Sequence, residues 1–149
     1  MQMQKLNFPA YQFRFKSSEN KVSIFDRIRK KFIVLTPEEW VRQHIISYLI
    51  DEKKYPESLI NVEKLIKVND LSKRYDVIVF KPNGDIFLIV ECKSHSVKIT
   101  QEVFDQIARY NLALNAEYLM ITNGLNHYYC QMDYMDQRYT FLKDIPNYK

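Results

Sequence analysis

The chain has 149 residues, 46% of them hydrophobic and 27% charged, which is typical of one folded domain and not of a disordered chain. Its net charge of +4 is compatible with a polyanionic partner but does not require one. The only two glycines, Gly84 and Gly124, exclude a P-loop, a dinucleotide-binding GxGxxG motif and a GxSxG nucleophile elbow.

The distribution of apolar residues, cysteines and histidines excludes several further classes of protein. No apolar run approaches the ~20 residues of a membrane span, and the polar N-terminus lacks a signal region, so we expect a cytoplasmic protein. Cys92 and Cys130 are far apart, and the histidines do not share metal-binding spacing. Neither a disulfide framework nor a zinc site is therefore predicted.

The first 35 residues predict a short N-terminal β extension. Apolar residues occur at Phe13, Phe15, Val22 and Ile24 and again over residues 32–35, with a polar segment at residues 17–21 between them. Such short apolar stretches separated by polar residues are typical of strands joined by turns.

A helix is predicted from Thr36 to about Asp51. Thr36 is a suitable N-cap, Pro37 suits the first helical position, and two acidic residues follow in the first turn. The apolar stripe consists of Val41, Ile45, Tyr48 and Leu49. Glu38 precedes Ile45 by about two turns and is expected on the same inward face, whereas Glu39 is displaced by about 100°.

Residues 59–68 predict a strand, or a short helix followed by a strand. Two strongly β-forming segments come next, YDVIVF and IFLIVECK, separated by a turn around Asn83-Gly84. Asn-Gly between two such segments is the strongest local signal for a β-hairpin.

Counting outward from Asn83-Gly84 predicts the register of this hairpin. One face is expected to pair Asp76 with Glu91, Ile78 with Ile89, Phe80 with Phe87, and Arg74 with Lys93. The other face is expected to carry Tyr75, Val77, Val79, Leu88, Val90 and Cys92. Because both faces are largely apolar, the hairpin is predicted to lie at the centre of a sheet that is covered on both sides.

Two opposed carboxylates at the end of a buried face repel each other unless a cation lies between them. Mg²⁺ suits this position, because it is held by one or two carboxylates together with water and phosphate oxygens. Lys93 follows Glu91 by two residues and points to the same face, where it can assist phosphodiester hydrolysis. The alternative is a structural cluster in which Arg74 and Lys93 neutralise Asp76 and Glu91.

These residues resemble the PD-(D/E)XK, or restriction-endonuclease-like, nucleases, with Asp76 and Glu91-Cys92-Lys93 in the motif positions and Tyr75 in place of the proline. More narrowly, the chain is similar to the N-terminal nuclease domain of type I restriction enzyme R subunits. The similarity rests on TPEEWVRQ, the Tyr55-Pro56 pair, RYDVIVF, VECK, DQIARYN and ITNG. The translocase part of an R subunit is absent, so we expect a free-standing nuclease-like domain.

The resemblance implies a role for each site residue. Asp76, Glu91 and the backbone carbonyl of Cys92 are expected to hold Mg²⁺, with Mn²⁺ as a substitute, and Lys93 to orient or polarise the attacking water. Glu38, or Glu39 as the alternative, is expected to complete the site or bind a second ion; either could instead stabilise the helix dipole. Glu63 could face the site, although a solvent-exposed position is favoured.

A second helix is predicted from Thr100 to about Leu114, followed by strands over residues 118–122 and 127–132 and a further strand over residues 138–142. Gln106 and Tyr110 share one face of this helix. They resemble a Q-x-x-x-Y motif of a nuclease subgroup, in which the pair lies beside the active site and supports the substrate or the catalytic lysine. The alternative is a simple surface pair.

The predicted fold is therefore α/β, a restriction-endonuclease-like mixed central sheet flanked by helices, with a short N-terminal β extension. One domain is expected over residues 1–149, divided into the extension (1–35), a nuclease core (36–132) and a C-terminal strand and tail (133–149). The predicted function is metal-dependent hydrolysis of DNA in restriction or DNA repair, without a nucleotide cofactor. A homodimer or a partner subunit of a restriction system is compatible with this function. The alternatives are an inactive nucleic-acid-binding or regulatory module and a protein-interaction module.

Overall fold

The computed structural model describes residues 3–68 and 70–148, without the side chains of Val68, Leu71 and Tyr110. The helices are α1 (Pro37–Ser47), which a π-helical turn (Tyr48–Glu52) continues, and α2 (Gln101–Asn111). Short 3₁₀ turns span Glu57–Leu59 and Leu112–Leu114. The strands are β1 (Phe15–Ser18), β2 (Lys21–Asp26), β3 (Lys31–Val34), β4 (Ile60–Val68), β5 (Leu71–Phe80), β6 (Ile86–Cys92), β7 (Tyr118–Thr122), β8 (His127–Asp133) and β9 (Arg138–Leu142). Within these residues, no helix is long and apolar enough to cross a membrane.

The strands form two sheets. β1, β2 and β3 make an antiparallel three-stranded sheet, and the other six make a sheet in the order β4-β5-β6-β7-β8-β9. Only the β6–β7 pair is parallel among the described pairs, and α2 lies in the connection between these two strands. The predicted mixed sheet with flanking helices and the N-terminal β extension are confirmed.

Local sequence signals account for the start and the buried face of α1. The Thr36 hydroxyl accepts a hydrogen bond from the backbone N–H of Glu39 at 3.0 Å, as expected for an N-cap. Val41, Ile45 and Leu49 are completely buried in a core that also contains Val77, Val79, Leu88 and Val90. A second core, which includes Ile78, Ile89, Phe104 and Ala108, lies between the opposite sheet face and α2.

The β5–β6 register agrees with the prediction at the centre of the hairpin and departs from it near the turn. Ile78 pairs with Ile89 as expected, but a β-bulge makes Phe80 pair with Ile86, so the predicted Phe80–Phe87 pair is wrong. Phe87 instead packs against the rings of Tyr118 and Tyr148, with centroids 5.2 and 5.3 Å away. Packing in this aromatic cluster places Phe87 in the same core as Leu88, so the alternation of side chains along β6 is broken at this residue.

The predicted division of β5 into two faces also fails at Asp76. Tyr75 belongs to the core on the α2 side with Ile78, whereas Val77 and Val79 belong to the core on the α1 side. The β4–β5 ladder is interrupted opposite Asp76, at Glu63, whose φ of +58° is unusual for a residue other than glycine. This irregularity allows Asp76 to reach α1 although Ile78, two residues later, faces α2.

Gly124 lies where a side chain cannot be accommodated. Its φ is +89°, and an added Cβ would approach Leu6 Cδ2 to 2.7 Å and Val41 Cγ2 to 3.0 Å. We expect Gly124→Ala to reduce the free energy of unfolding by about 3 kcal/mol, through backbone strain and overpacking together. Gly84→Ala is the matched control, because Gly84 has a similar φ of +95° but open space around it. Chemical denaturation should show a clearly smaller loss for Gly84→Ala; equal losses would exclude the packing contribution.

Candidate active site

Asp76 lies near the end of the β5–β6 pairing and is held by two donors. Its Oδ1 accepts a hydrogen bond from an Arg42 Nη atom at 2.9 Å, and its Oδ2 accepts one from the Cys92 backbone N–H at 2.8 Å. Both interactions are buried. Asp76 therefore connects helix α1 to the end of strand β6.

Glu91 lies next to Asp76, as expected when the register of Val77 with Val90 is continued by one residue. Its Oε1 accepts a hydrogen bond from Lys73 Nζ at 3.0 Å, and the two carboxyl groups are within hydrogen-bonding range of each other. Burial and the neighbouring Asp76 raise the pKa of Glu91 to about 7, although Lys73 opposes this rise. The site therefore retains an excess of negative charge that Lys73 does not fully balance.

Arg42 is the centre of a buried ion-pair network. Besides Asp76, its guanidinium contacts Glu39 at 2.6 Å, Glu63 at 2.9 Å and Glu38 at 3.4 Å. Such a group is stable in the interior only while its charge is balanced by close, hydrogen-bonded partners. Four carboxylates from three different elements are thus organised around one guanidinium.

The two glutamates of the first helical turn occupy different environments. Glu39 is buried and also contacts Arg29 and Gln43, each at 2.9 Å, so its oxygens are engaged in the network. Glu38 is 49% exposed, and its predicted inward position is wrong because Arg42, one turn later, fills the buried position. Glu38 is nevertheless within hydrogen-bonding range of Asp76, and burial and Asp76 raise its pKa. Glu38 therefore lies at the open side of the carboxylate pair.

Lys93 extends strand β6 beyond the carboxylates. Its backbone N–H donates to the Thr122 carbonyl at 2.8 Å, and its half-buried side chain is close enough to Glu38 to oppose the rise in that residue's pKa. Lys93 forms no ion pair within the part of the chain that the structure describes. The neighbouring Cys92 thiol is completely buried and burial raises its pKa, so this thiol is a core group.

The cations beside the carboxylates differ from those of the predicted structural cluster. Arg42 pairs with Asp76 and Lys73 with Glu91, whereas Arg74 contacts Glu63. The favoured solvent-exposed position of Glu63 is also wrong, because its carboxylate contacts Arg42. Arg42 follows Glu38 by four residues, a helical spacing that could have indicated an ion pair, but the sequence contains no local signal that joins Lys73 to Glu91.

The predicted pair of the second helix is Gln106 and Tyr110. Gln106 is exposed on α2, and the side chain of Tyr110 lies outside the described residues. A place for these two residues beside the carboxylates stays a prediction.

The donor atoms at the carboxylate pair suit a hard divalent cation. Among the described residues, no three His, Cys, Asp or Glu side chains are grouped as ligands for one metal ion. Mg²⁺ does not need three, because one or two carboxylates complemented by water and phosphate oxygens are its usual protein ligands. Asp76 and Glu91 supply two adjacent carboxylates with excess negative charge, so the residues present fit Mg²⁺.

Glu91→Gln should reveal this charge excess through stability. A carboxyl pKa raised from 4.5 to about 7 means that the folded protein binds the proton more tightly than the unfolded chain. Wild-type stability contributed by this proton is present below pH 4.5 and is lost as the pH rises to about 7. As the pH rises from 4.5 to about 7 in EDTA, the free energy of unfolding of Glu91→Gln should therefore increase relative to that of wild type. The expected increase is on the order of 2 kcal/mol.

Denaturant midpoints measured across this pH range test the prediction, with exposed Glu102→Gln as the control. The control should differ from wild type by a small, pH-independent amount. If the stability difference between Glu91→Gln and wild type is also independent of pH, Lys73 fully offsets the effects of burial and Asp76 on Glu91.

Comparison with known proteins identifies the family. The family model described as Type I restriction enzyme R protein N terminus (HSDR_N) matches residues 37–146, from the first residue of α1 to beyond the end of β9. A search of curated proteins finds no match. The matched segment contains the carboxylate pair and Lys93, and the match confirms the resemblance found in the sequence motifs. The chain belongs to the type I restriction enzyme R protein N-terminal family.

Proposed function

We propose that the protein is a Mg²⁺-dependent nuclease of the PD-(D/E)XK type that hydrolyses phosphodiester bonds of DNA in a restriction system. The observation that carries this proposal is the placement of Asp76, Glu91 and Lys93 at one end of the central strands, in a chain of a restriction enzyme family. Restriction enzymes act on DNA, and the net charge of +4 is compatible with a polyanion.

Asp76, Glu91 and the backbone carbonyl of Cys92 would hold the ion, with Glu38 at the open side. Bound there, Mg²⁺ or Mn²⁺ would lower the pKa of water and neutralise charge that develops on the phosphate. The Cys92 N–H and Arg42 hold the Asp76 carboxylate in a fixed orientation. Lys73 must leave Glu91 Oε1 for that oxygen to become a ligand.

Lys93 is proposed to act on the reacting groups. Its half-buried side chain directly follows the strand that carries Glu91 and lies close to Glu38, on the exposed side of the site. From there it can orient the attacking water and stabilise negative charge on the phosphate oxygens in the transition state. Gln106 and Tyr110 are proposed to support the substrate or Lys93 from α2.

The partners follow from the same proposal. DNA is the proposed substrate. No nucleotide cofactor is proposed, because a sequence with two glycines contains no P-loop. A second copy of the chain or another subunit of a restriction system is a candidate protein partner.

One observation favours the second candidate, an inactive nucleic-acid-binding or regulatory module. Both carboxylates already have a cationic partner, Arg42 for Asp76 and Lys73 for Glu91, as in a site that has become structural. In that case, metal would neither bind nor change stability.

A cleavage screen separates the candidates. The wild-type protein is incubated with supercoiled plasmid, linear duplex, single-stranded DNA and RNA, each with Mg²⁺, Mn²⁺ or EDTA. We expect DNA to be cleaved with either ion and to remain intact in EDTA. DNA binding without cleavage under every condition would favour the inactive module, and absence of any nucleic-acid binding would favour a protein-interaction module.

A further inference from the structure

A two-stranded ribbon extends beyond the six-stranded sheet at the carboxylate site. Residues 64–68 of β4 pair with residues 71–75 of β5, while the described pairing of β5 with β6 is confined to residues 77–80. β4 lies at one edge of the sheet. At ~3.3 Å per residue, five residues make an arm roughly 15 Å long. We call these two paired segments the distal ribbon.

The base of the distal ribbon is fixed to the candidate active site. Glu63, with its positive φ, lies where the ribbon leaves the sheet, and its carboxylate contacts Arg42 at 2.9 Å. Its carbonyl accepts a hydrogen bond from Arg74 at 3.2 Å. On the other strand, Lys73 reaches Glu91 at 3.0 Å and lies 5.0 Å from the centre of the Tyr75 ring. Anything bound along the ribbon is therefore brought next to the carboxylates.

The exposed surface of the distal ribbon is basic. Lys64, Lys67 and Arg74 are exposed, and neither lysine forms an ion pair with the described residues. Asp70, between the two segments, is the only acidic residue from position 64 to position 75. Leu65 is 46% exposed and pairs with Arg74 across the strands. A basic arm on which Lys64 and Lys67 have no ion pair with the described residues is suited to a polyanion.

We propose that the distal ribbon lies in a groove of duplex DNA and that Lys64, Lys67 and Arg74 contact the phosphates. The major groove admits a two-stranded β-ribbon. A ribbon that enters a groove edge-on has one phosphodiester strand along each face, which matches the distribution of the cations over both faces, with Lys67 and Arg74 on one and Lys64 on the other. The proposal rests on the proposed function and adds the part of the surface that holds the substrate.

The test compares two double variants. Lys64→Ser/Lys67→Ser removes two charges from the ribbon. Lys21→Ser/Lys143→Ser removes two exposed charges elsewhere, on β2 of the other sheet and just beyond β9 at the opposite edge of the large sheet. Binding to a labelled DNA duplex is measured by fluorescence anisotropy in EDTA at several salt concentrations. Denaturant midpoints establish that both variants are folded.

The ribbon variant should bind duplex DNA about tenfold more weakly than wild type, and the slope of log K against log salt should become less negative by about 1.8, or 0.9 for each lost phosphate contact. The control should bind within about twofold of wild type. Equal losses in both variants, an unchanged slope, or no binding of duplex DNA by wild type would overturn the proposal. Binding without cleavage by wild type would leave the ribbon proposal intact and refute the nuclease. DNA cleavage by wild type, together with DNA binding by the ribbon variant as tight as that of wild type, would support the nuclease and overturn the ribbon proposal.

Discussion

Replacing Arg42 with methionine is expected to lower the free energy of unfolding by about 3–5 kcal/mol. The guanidinium is buried and contacts Asp76, Glu39, Glu63 and Glu38 at 2.6–3.4 Å. Methionine retains much of the apolar volume but removes the cation shared by these carboxylates. Buried Glu39 keeps its ion pair with Arg29, whereas buried Asp76 keeps no ion pair with the described residues. Uncompensated charge in the interior is among the most destabilising changes that a single substitution can make.

Urea denaturation followed by circular dichroism measures this loss, and Arg27→Met provides the control. Arg27 pairs with Asp51 and Glu57, but these groups are solvent-exposed, so its replacement should cost less than about 1 kcal/mol. Similar midpoints for the two variants would show that the Arg42 network does not hold α1 against the sheet.

Replacing Lys93 with methionine is expected to reduce the rate of DNA cleavage by a factor of about 100 or more. The ammonium is proposed to stabilise charge that appears only in the transition state, so its removal should affect turnover and not folding. Lys93 has no ion pair among residues 3–68 and 70–148, and methionine can follow the same half-buried path. Stability should therefore change by less than about 1 kcal/mol, and calorimetric Mg²⁺ affinity should change little.

Lys98→Met is the matched control, because Lys98 is an exposed lysine on the loop that follows the same strand. Its cleavage rate should remain within about twofold of wild type. If Lys93→Met retains full turnover, Lys93 has no part in the reaction. If it loses activity only because it has unfolded, the denaturation midpoint will reveal this.

Elements set by local interactions could be predicted from the sequence. Thr36 and Pro37 define the start of α1, and Asn83-Gly84 defines the turn of the hairpin, in which the Gly84 N–H donates to the Lys81 carbonyl at 2.9 Å. Each signal acts over a few residues and does not depend on the rest of the fold. The central Ile78–Ile89 pair followed correctly from the turn.

Features set by distant contacts could not be predicted in this way. The bulge at Phe87 depends on rings contributed by Tyr118 and Tyr148, far away along the chain. The turn of Asp76 toward Arg42 depends on the irregular backbone at Glu63, a residue whose sequence context gives no sign of a positive φ. The sequence therefore indicated which carboxylates come together, and tertiary contacts determine which cations accompany them.

Asp76 is proposed to belong to a metal-dependent site that hydrolyses DNA. The most direct measurement follows conversion of supercoiled plasmid to nicked and linear forms by wild type, Asp76→Asn and the exposed control Asp136→Asn, each with Mg²⁺ and with EDTA. We expect cleavage by wild type and Asp136→Asn with Mg²⁺, none in EDTA, and none by folded Asp76→Asn under either condition. No cleavage by wild type with Mg²⁺ or Mn²⁺, or equal cleavage by Asp76→Asn, would contradict it.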